Sequence, residues 1–557
     1  MANPISINDN PSSIDPTSGF CSQTKIYYSL RPSVLLPPET TPLSVTSYVF
    51  STLNSHPPLP TTSALIDAVT RHRILFSDLI LRIKTLAFSL KTKYKLSRND
   101  TAFILSQNSV RIPILYLALF SLGVIVSPSN PSNTKQEILR QIQLSKPVIA
   151  FSTNDTAHKI PSLKYGAVLL DSPEFESFMT SRLSETALDV ELDKTKVLLS
   201  DPAAVLYSSG TTGMFKGVVL SQGNLVATVA AGYALRAARE TPVNALCVVP
   251  YFHVYGFAYW LRSLAMGETL VCMGRFDFEV MLRAVEQLRA SHVAVAPPVV
   301  SKMVLNGEVM NGYDLSSLEV VSSGGAPLTL NVIQKFRERL PKVNLSQAYG
   351  LTETTGRVFG TVGPKECKVA GTTGKLLSNC QAKVVDPETG ISQPPCMPGE
   401  LWIRGPFVMK GYVGDEEATV AILDSEGWLR TGDLCYIDNE GFLFFLDRIK
   451  EMIKYKGYQV APAELEHLLL SHPDIVDAAV VPFPDELVGQ VPIAFVVRKR
   501  GSILDESQIK DFIAKQVAPY KRIRQVTLID SIPRNAPGKV LRKDLIRLAQ
   551  SNVTSKL

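Results

Sequence analysis

The sequence predicts an α/β protein: a large N-terminal domain of layered α/β sheets with a β-rich subdomain, followed by a small mobile α+β C-terminal domain. Helical and strand-like apolar segments alternate from about residue 62 to residue 327, which is typical of sheets covered by helices. After residue 347 the pattern changes to short strands separated by Gly, Pro and Asn turns. A chain of 557 residues, 45% of them hydrophobic, is long enough for more than one core.

The elements up to the middle of the chain follow from apolar periodicity and flanking turn residues. We expect helices at 64–90, 138–144, 222–238, 256–265 and 278–290, and strands at 101–105, 148–151, 246–250, 269–273 and 292–296. The longest apolar run, 112–126, is shorter than the ~20 residues of a membrane-spanning helix, so we interpret it as a buried helix running into a strand. A short strand at 320–321 leads into a glycine turn at 322–327 that opens a helix.

The β-rich part is predicted from strands at 382–385, 399–404 and 441–446. A helix at 462–470, strands at 478–482 and 493–497 and a helix at 506–516 then indicate a separate α+β unit. We therefore place the domains at residues 1–446 and 447–557.

Composition argues against several classes of protein. The net charge of +6 arises from 57 basic and 51 acidic residues without a dense basic stripe, so nucleic-acid binding is not expected. The seven cysteines are scattered, odd in number and never in Cys-x-x-Cys spacing, which predicts neither disulfides nor a zinc site. The histidines form no His-Glu-x-x-His pair.

The two ends of the sequence bear on targeting. Residues 1–19 are polar and contain no Arg or Lys, unlike a secretory or organellar presequence. The last three residues, Ser555, Lys556 and Leu557, match a peroxisomal address. We expect a peroxisomal protein whose partners include the peroxisomal import receptor, with no membrane span.

A loop rich in hydroxyl groups and glycine, 208–217, joins two strand-like apolar runs and carries Lys216. Glycine amides, hydroxyl donors and a lysine together suit a triphosphate. The alternative is an ordinary flexible surface loop. A Walker A loop needs Ser or Thr after the lysine, and here Gly217 follows.

Six further stretches combine glycine with polar or charged groups: 252–256, 323–327, 347–353, 431–433, 447–457 and 537–539. With Ser-Ser-Gly-Thr-Thr-Gly at 208–213, Tyr-Gly-Leu-Thr-Glu at 349–353, Thr-Gly-Asp at 431–433 and the run 453–466, the sequence resembles the adenylate-forming acyl-CoA synthetase superfamily. It is most similar to the plant 4-coumarate:CoA ligase-like group, peroxisomal branch. The resemblance covers residues 26 to 543.

The resemblance implies a two-step ligation with ATP and coenzyme A as co-substrates and Mg²⁺ as cofactor. A carboxylate attacks the α-phosphate of ATP to give acyl-AMP and pyrophosphate, and the thiol of coenzyme A then displaces AMP. Between the steps the small domain rotates, so that Lys539 leaves the site and residues 456–457 enter it.

The resemblance also implies roles for individual residues. Lys539 and His253 are the catalytic candidates, and Glu353 is the Mg²⁺ contact. The ATP-binding candidates are Ser208, Ser209, Gly210, Thr211, Thr212, Lys216, Gln347, Ala348, Thr352, Asp433, Arg448 and Lys539. The candidates for the acyl group and acyl-AMP are Tyr255, Tyr259, Ser322, Gly324, Gly325, Gln347, Gly350, Thr352, Lys450 and Lys454. Those for coenzyme A are Arg275, Lys456 and Gly457.

Two positions depart from the family pattern. Phe215 stands where proline is usual, which removes a backbone restraint from the loop. Arg357 adds a cation near the acyl pocket. We expect a hydroxycinnamate, 4-coumarate first, as the acid; medium-chain fatty acids or jasmonate precursors are the rival. A luciferase-type oxidative decarboxylase and an ATP-gated interaction module are the alternatives from other classes.

Overall fold

The computed structural model describes residues 13–180, 184–193, 195–209, 215–236, 241–455, 458–485, 489–535 and 538–554. The helices in these ranges are α1 (Val45–Ser55), α2 (Phe76–Tyr94), α3 (Arg111–Ser121), α4 (Lys135–Ser145), α5 (Pro173–Ser177), α6 (Glu185–Asp193), α7 (Gln222–Ala234), α8 (Val254–Ala265), α9 (Phe278–Leu288), α10 (Pro297–Leu305), α11 (Gly307–Met310), α12 (Leu330–Arg339), α13 (Gly363–Cys367), α14 (Glu416–Val420), α15 (Pro462–Leu470), α16 (Glu506–Ala514) and α17 (Arg542–Thr554).

The strands are β1 (Phe20–Cys21), β2 (Ile26–Tyr28), β3 (Ser63–Asp67), β4 (Arg73–Leu75), β5 (Thr101–Leu105), β6 (Ile125–Ser129), β7 (Ile149–Ser152), β8 (Ala167–Leu169), β9 (Pro202–Ser209), β10 (Phe215–Ser221), β11 (Asn244–Cys247), β12 (Thr269–Cys272), β13 (His292–Val295), β14 (Val320–Gly324), β15 (Asn344–Leu351), β16 (Gly356–Gly360), β17 (Lys375–Leu376), β18 (Gln381–Val385), β19 (Gly399–Arg404), β20 (Gly411–Tyr412), β21 (Leu429–Ile437), β22 (Leu443–Arg448), β23 (Ile453–Tyr455), β24 (Tyr458–Val460), β25 (Ile475–Asp485), β26 (Gly489–Arg498) and β27 (Gln525–Leu528).

Two large, mostly parallel sheets form the body of the protein. The first has the order β20-β10-β9-β6-β5-β7-β8, and the second β17-β16-β15-β14-β13-β11-β12-β3-β4. The largest apolar cluster joins side chains from both sheets with α1, α2, α3, α7 and α8, because parallel strands need helices over both faces. A second cluster covers the other face of the nine-stranded sheet with α9, α10 and α12. The α/β class is therefore confirmed.

Two smaller sheets complete the fold. One is antiparallel, with the order β1-β2-β18-β19-β21-β22, and the other joins β23, β24, β25, β26 and β27 with α15, α16 and α17 packed on it. Strands from the stretch after residue 347 are divided among three sheets, since β16 and β17 extend the nine-stranded sheet and β20 the seven-stranded one. The predicted β-rich subdomain corresponds to the six-stranded sheet alone. The domain boundary at 446/447 stays a prediction.

The helix predicted at 64–90 is wrong in its first 12 residues, 64–75. Ser63–Asp67 and Arg73–Leu75 are strands, and the helix begins only at Phe76. Asp67 accepts the amides of Val69 and Thr70, at 3.0 and 2.7 Å, and this turn reverses the chain before the helix begins.

Other boundaries moved by a few residues. The helix predicted at 222–238 ends at Ala234, and the strand predicted at 320–321 continues to Gly324. The helix after the glycine turn begins at Leu330, where the Thr329 side chain caps it. Within the described residues, no helix is both long enough and apolar enough to cross a bilayer.

Candidate active site

The predicted site residues gather where β9 and β10 meet the carboxyl ends of β14 and β15. In open α/β sheets this edge is where ligands bind. Ser208 lies opposite Lys216 in the antiparallel β9–β10 pair, so the predicted phosphate loop is a connection between two paired strands. Gly210, Thr211 and Thr212 lie outside the described residues, and nothing is described of the Ser209 side chain.

Lys216 is connected to Glu353 through a residue that the sequence analysis missed. The Lys216 ammonium lies 4.6 Å from the centre of the Tyr412 ring, and the Tyr412 hydroxyl donates to Glu353 Oε1 at 2.9 Å. Tyr412 belongs to the two-residue strand β20, which pairs with β10. No local motif marks this tyrosine, because its role follows from a long-range strand pairing. The phosphate-binding and metal-binding candidates therefore share one cluster.

Asp433 is a buried carboxylate with one oxygen left for a ligand. Its Oδ2 accepts the Tyr349 hydroxyl at 2.6 Å. Arg448 lies opposite it in the β21–β22 pair, with Nε 3.2 Å from Oδ1, but Oδ1 has no hydrogen-bond partner in the described structure. Burial raises the pKa of Asp433, and Arg448 and Tyr349 oppose part of that rise. An orphaned buried acceptor is costly, so this oxygen fits a ligand that brings donors, such as ribose hydroxyls.

Lys539 extends from a tight turn toward the same cluster. Asn535 Oδ1 accepts the Lys539 amide at 2.7 Å, and the Asn535 amide donates to the Lys539 carbonyl at 2.9 Å. Burial and the nearby Arg448 lower the pKa of Lys539, whereas Glu451 and Asp433 raise it. Glu451, a second residue that the sequence analysis missed, lies 3.8 Å from the Lys539 ammonium.

Glu451 also holds Arg542, at 2.7 Å from its Nε. Burial raises the pKa of Glu451, but the positive charges of Arg542 and Lys539 lower it by more. The net pKa of Glu451 is therefore below its usual value. Glu451 thus connects the turn of Lys539 to α17. No local pattern indicates this contact, since Glu451 and Arg542 are 91 residues apart.

His253 begins α8 and caps it. Its Nδ1 accepts the Tyr255 amide at 3.3 Å, so the neutral ring carries its proton on Nε2. Burial lowers the pKa of His253 to about 4, so the ring is neutral at ordinary pH. His253 is therefore both a helix cap and a neutral donor beside the predicted acyl pocket.

Tyr255 and the ends of β14 and β15 form one wall of that pocket. The Tyr255 hydroxyl donates to the Ser322 carbonyl at 2.7 Å, and its ring lies 3.8 Å from where a Cβ on Gly324 would stand. Tyr259 is buried, and its ring meets that of Tyr255 edge-on at 6.5 Å between centres. Gly350 has no room for a side chain, because a Cβ there would lie 1.8 Å from the Gly356 carbonyl oxygen.

The remaining predicted residues are placed as follows. Gln347 and Ala348 lie on β15 and Thr352 follows it, all next to the cluster. Gly325, Arg275 and Lys450 are exposed, and within the described structure no ion pair involves Arg275 or Lys450. The Lys454 side chain, Lys456 and Gly457 lie outside the described residues.

Comparisons with known proteins agree with this geometry. Residues 58–413 match the model of the AMP-binding enzyme family, and residues 464–539 match the AMP-binding enzyme C-terminal domain. The chain is 47% identical to the 4-coumarate--CoA ligase-like 9 of Arabidopsis thaliana over 98% of both chains. It is 44% identical to the Peroxisomal OPC-8:0-CoA ligase 1 of the same plant, over 97% of this chain and 99% of that one.

A solved structure shows the same architecture. O-succinylbenzoate coenzyme A synthetase (MenE) from Bacillus subtilis, in complex with ATP and magnesium ion, superposes with a TM-score of 0.75 at 26% identity, over 89% of this chain and 98% of that one. The family match, the full-length relatives and the gathering of Lys216, Glu353 and Asp433 at one sheet edge lead to one conclusion. The chain belongs to the AMP-binding enzyme family and is an adenylate-forming acid–thiol ligase that uses ATP and coenzyme A.

Proposed function

We propose that this enzyme activates a hydroxycinnamate, with 4-coumarate as the first candidate, and transfers it to coenzyme A. The observation that carries the proposal is the wall formed by the Tyr255 ring, Gly324 and the Ser322 carbonyl. An aromatic side chain beside small residues in such a wall suits a planar ring. The neutral His253, with its proton on Nε2, stands at the start of the same helix and can donate to the entering carboxylate.

In the first half-reaction, each of several described residues has a separate role. The orphaned Asp433 Oδ1 accepts the ribose hydroxyls, and Lys216 faces the β- and γ-phosphates. Lys539 supplies an ammonium to the charge that develops where the carboxylate attacks the α-phosphate. Its lowered pKa reflects the burial that makes one ammonium effective there.

Glu353 fits a Mg²⁺ ion. Its Oε1 accepts one hydrogen bond, from Tyr412, which leaves acceptor capacity on the carboxylate. Carboxylate and phosphate oxygens are the ligands that Mg²⁺ prefers. The ion would neutralise phosphate charge and help pyrophosphate to leave.

The second half-reaction is assigned to the same site after rotation of the C-terminal domain, taken as residues 447–557. Lys456 and Gly457 would then meet the pantetheine arm of coenzyme A, and Arg275 its nucleotide. Arg275 is exposed at the end of β12, as a contact for a large incoming co-substrate requires. A Peroxisomal OPC-8:0-CoA ligase among the 44%-identical relatives supports a peroxisomal location, in agreement with the ending Ser555, Lys556 and Leu557.

A second candidate acid is a medium-chain or cyclopentenone fatty acid. The 44% identity to the Peroxisomal OPC-8:0-CoA ligase 1 favours it. Steady-state kcat/KM for 4-coumarate, cinnamate, octanoate and a cyclopentenone acid decides between the two. A preference for octanoate over 4-coumarate of tenfold or more would reject the hydroxycinnamate.

The ligase mechanism itself is tested with Lys539→Ala, and the exposed Lys543 four residues later provides the matched control Lys543→Ala. We expect Lys539→Ala to lower acid-dependent pyrophosphate release about a hundredfold or more, in line with loss of one preorganised charge. It should still convert supplied acyl-AMP to the thioester. Lys543→Ala should match the wild type in both reactions. Equal loss of both half-reactions in Lys539→Ala would contradict the assignment.

A further inference from the structure

Arg357 lies on β16, next to Gly350 of the predicted acyl pocket. It lies opposite Gly350 in the β15–β16 pair, and Ala348 lies opposite Gly360. The Arg357 side chain runs along the strand past Gly360, where an added Cβ would lie 2.7 Å from Arg357 Nε. Because Ala348, Gly350 and Gly360 are small, this face of the sheet has space for a guanidinium and little else.

Helix α8 lies over that face. At Gly356, next to Arg357, an added Cβ would lie 3.4 Å from the Ala258 Cβ, which shows how closely the helix approaches. Arg357 interacts electrostatically with Tyr255 and Arg262, both on α8. Its guanidinium is therefore enclosed between the sheet and the helix that carries His253.

Arg357 and the charged side chains around it together carry one more positive charge than negative. Arg31 pairs with Glu366 at 2.6 Å, and Arg262 lies 3.9 Å from Glu268. Across the described ranges, no carboxylate lies within ion-pair distance of Arg357 and no protein atom accepts a hydrogen bond from it. Burial, then Arg262 and Arg31, lower the pKa of Arg357 to about 10.

Arg357 nevertheless keeps part of its surface accessible, as a side chain that lines a cavity does. In the described structure its five N–H donors have no protein acceptor, so they are available to the oxygen atoms of a ligand. The position of Arg357 therefore suits contact with a polar substrate group.

We propose that Arg357 recognises an oxygen acceptor at the far end of the acyl group, with a carboxylate bound best and a neutral hydroxyl or ketone next. The inference rests on the proposed ligase function and names the class of acid.

The test compares acids that differ only at their far end. One series is cinnamate, 4-coumarate and 4-carboxycinnamate, and the other is octanoate, 8-hydroxyoctanoate and octanedioate. Acid-dependent pyrophosphate release is measured for the wild type, Arg357→Met, Arg357→Lys and Arg283→Met. Arg283 is an exposed arginine of α9 and serves as the matched control.

We expect kcat/KM of the wild type to rise at least about tenfold from the unsubstituted acid to the carboxylate-ended one in one of the series, the scale of a charged hydrogen bond. Arg357→Met should lose at least about tenfold on oxygen-ended acids and leave the unsubstituted acid unchanged or improved. Arg357→Lys should retain part of the preference, and Arg283→Met all of it.

Two results overturn the inference: a wild type without any preference for oxygen-ended acids, or an equal loss on every acid in Arg357→Met when its melting temperature matches the wild type. Should Arg357→Met not fold, the wild-type preference and Arg357→Lys decide. Failure of the wild type to release pyrophosphate with any acid would instead reject the proposed function, and this inference with it.

Discussion

At the scale of single residues, the site is built from side chains that serve the fold and the ligand at once. Asp433 accepts the Tyr349 hydroxyl through one oxygen, and its other oxygen, near Arg448, accepts no hydrogen bond in the described structure. Glu353 accepts the Tyr412 hydroxyl through its Oε1. His253 uses one ring nitrogen to cap α8 and keeps the other for a ligand. A substitution at any of them changes stability and chemistry together, unless it is chosen to separate the two.

His253 allows that separation. Asn is a good helix cap, so His253→Asn should keep the stability of α8, whereas His253→Ala should cost about 1 kcal/mol. Both variants lose the Nε2 donor, and we expect kcat/KM for the acid to fall about 10- to 100-fold in each. Thermal unfolding and steady-state kinetics measure the two effects. Loss of stability without loss of activity in His253→Ala would leave His253 as a cap only.

The lowered pKa of His253 predicts how the stability of the wild type and of His253→Asn depends on pH. Between about pH 4 and the ordinary value of 6.5, the unfolded chain binds a proton at His253 that the folded chain does not. The stability that comes from keeping His253 neutral in the folded protein is complete above pH 6.5 and is lost as the pH falls toward 4. The wild type should therefore lose stability relative to His253→Asn in that window. The ratio of their kcat/KM values should stay constant from pH 5.5 to 8, and a tenfold change across pH 6.5 would contradict a neutral His253.

At the scale of elements, the sequence predicts those strands and helices whose apolar periodicity agrees with the turn residues at their ends. The strand Gly399–Arg404 and the helix Pro462–Leu470 have the predicted bounds. The 64–90 segment could not be divided, because short apolar runs suit a strand or a buried helix equally and the Asp67 turn depends on side-chain contacts. The proposed binding motifs could be picked out from the sequence because each is local. Tyr412 and Glu451 were not, since each reaches the site through pairing with distant parts of the chain.

Glycines at the ends of β14 and β15 give a prediction at this scale. An Ala at Gly350 would place its Cβ 1.8 Å from the Gly356 carbonyl oxygen of the adjacent strand. Because backbone cannot give way there, Gly350→Ala should destabilise the protein by about 3 kcal/mol or more. Gly324→Ala, on the neighbouring strand, meets the Ala348 carbonyl oxygen at 3.5 Å and the Tyr255 ring at 3.8 Å, which are ordinary contacts. It should fold within about 1 kcal/mol of the wild type and disfavour bulky acids. Equal urea midpoints for the two variants would contradict the strand packing.

At the scale of the whole molecule, the position of Lys539 fits the first half-reaction as we propose it. Lys539 lies near Glu451, Asp433 and Arg448, and the adjacent Gly538 is close to the start of α10. A Cβ at Gly538 would lie 3.9 Å from the Ala296 Cβ and 2.8 Å from Pro298 Cδ. This tight approach is possible because position 538 is glycine, at a φ of +88°. Thioester formation through domain rotation would require this contact to open.

The contact can be locked to test that requirement. The Cβ separation of 3.9 Å between positions 296 and 538 is within the range of a disulfide, so Ala296→Cys with Gly538→Cys should form one on oxidation. Six of the seven native cysteines are buried and only Cys396 is exposed. The single variants Ala296→Cys and Gly538→Cys are therefore adequate controls for a disulfide with a native cysteine. Gly538→Cys carries about 1–2 kcal/mol of backbone strain because of its positive φ, and its Cβ also presses on Pro298 Cδ at 2.8 Å. The reduced double variant carries both effects and is therefore the reference for rate.

We expect the oxidised double variant to form acyl-AMP and release one equivalent of pyrophosphate per enzyme. It should make thioester at less than about a hundredth of the rate of the reduced double variant, because Lys539 is held at the nucleotide. Addition of a reductant should restore thioester formation. Pyrophosphate release and acyl-CoA appearance, followed in the same reaction, give both half-reactions. If the oxidised double variant makes thioester as fast as the reduced double variant, both half-reactions proceed in one orientation. The role of residues 447–557 as a rotating unit would then be wrong.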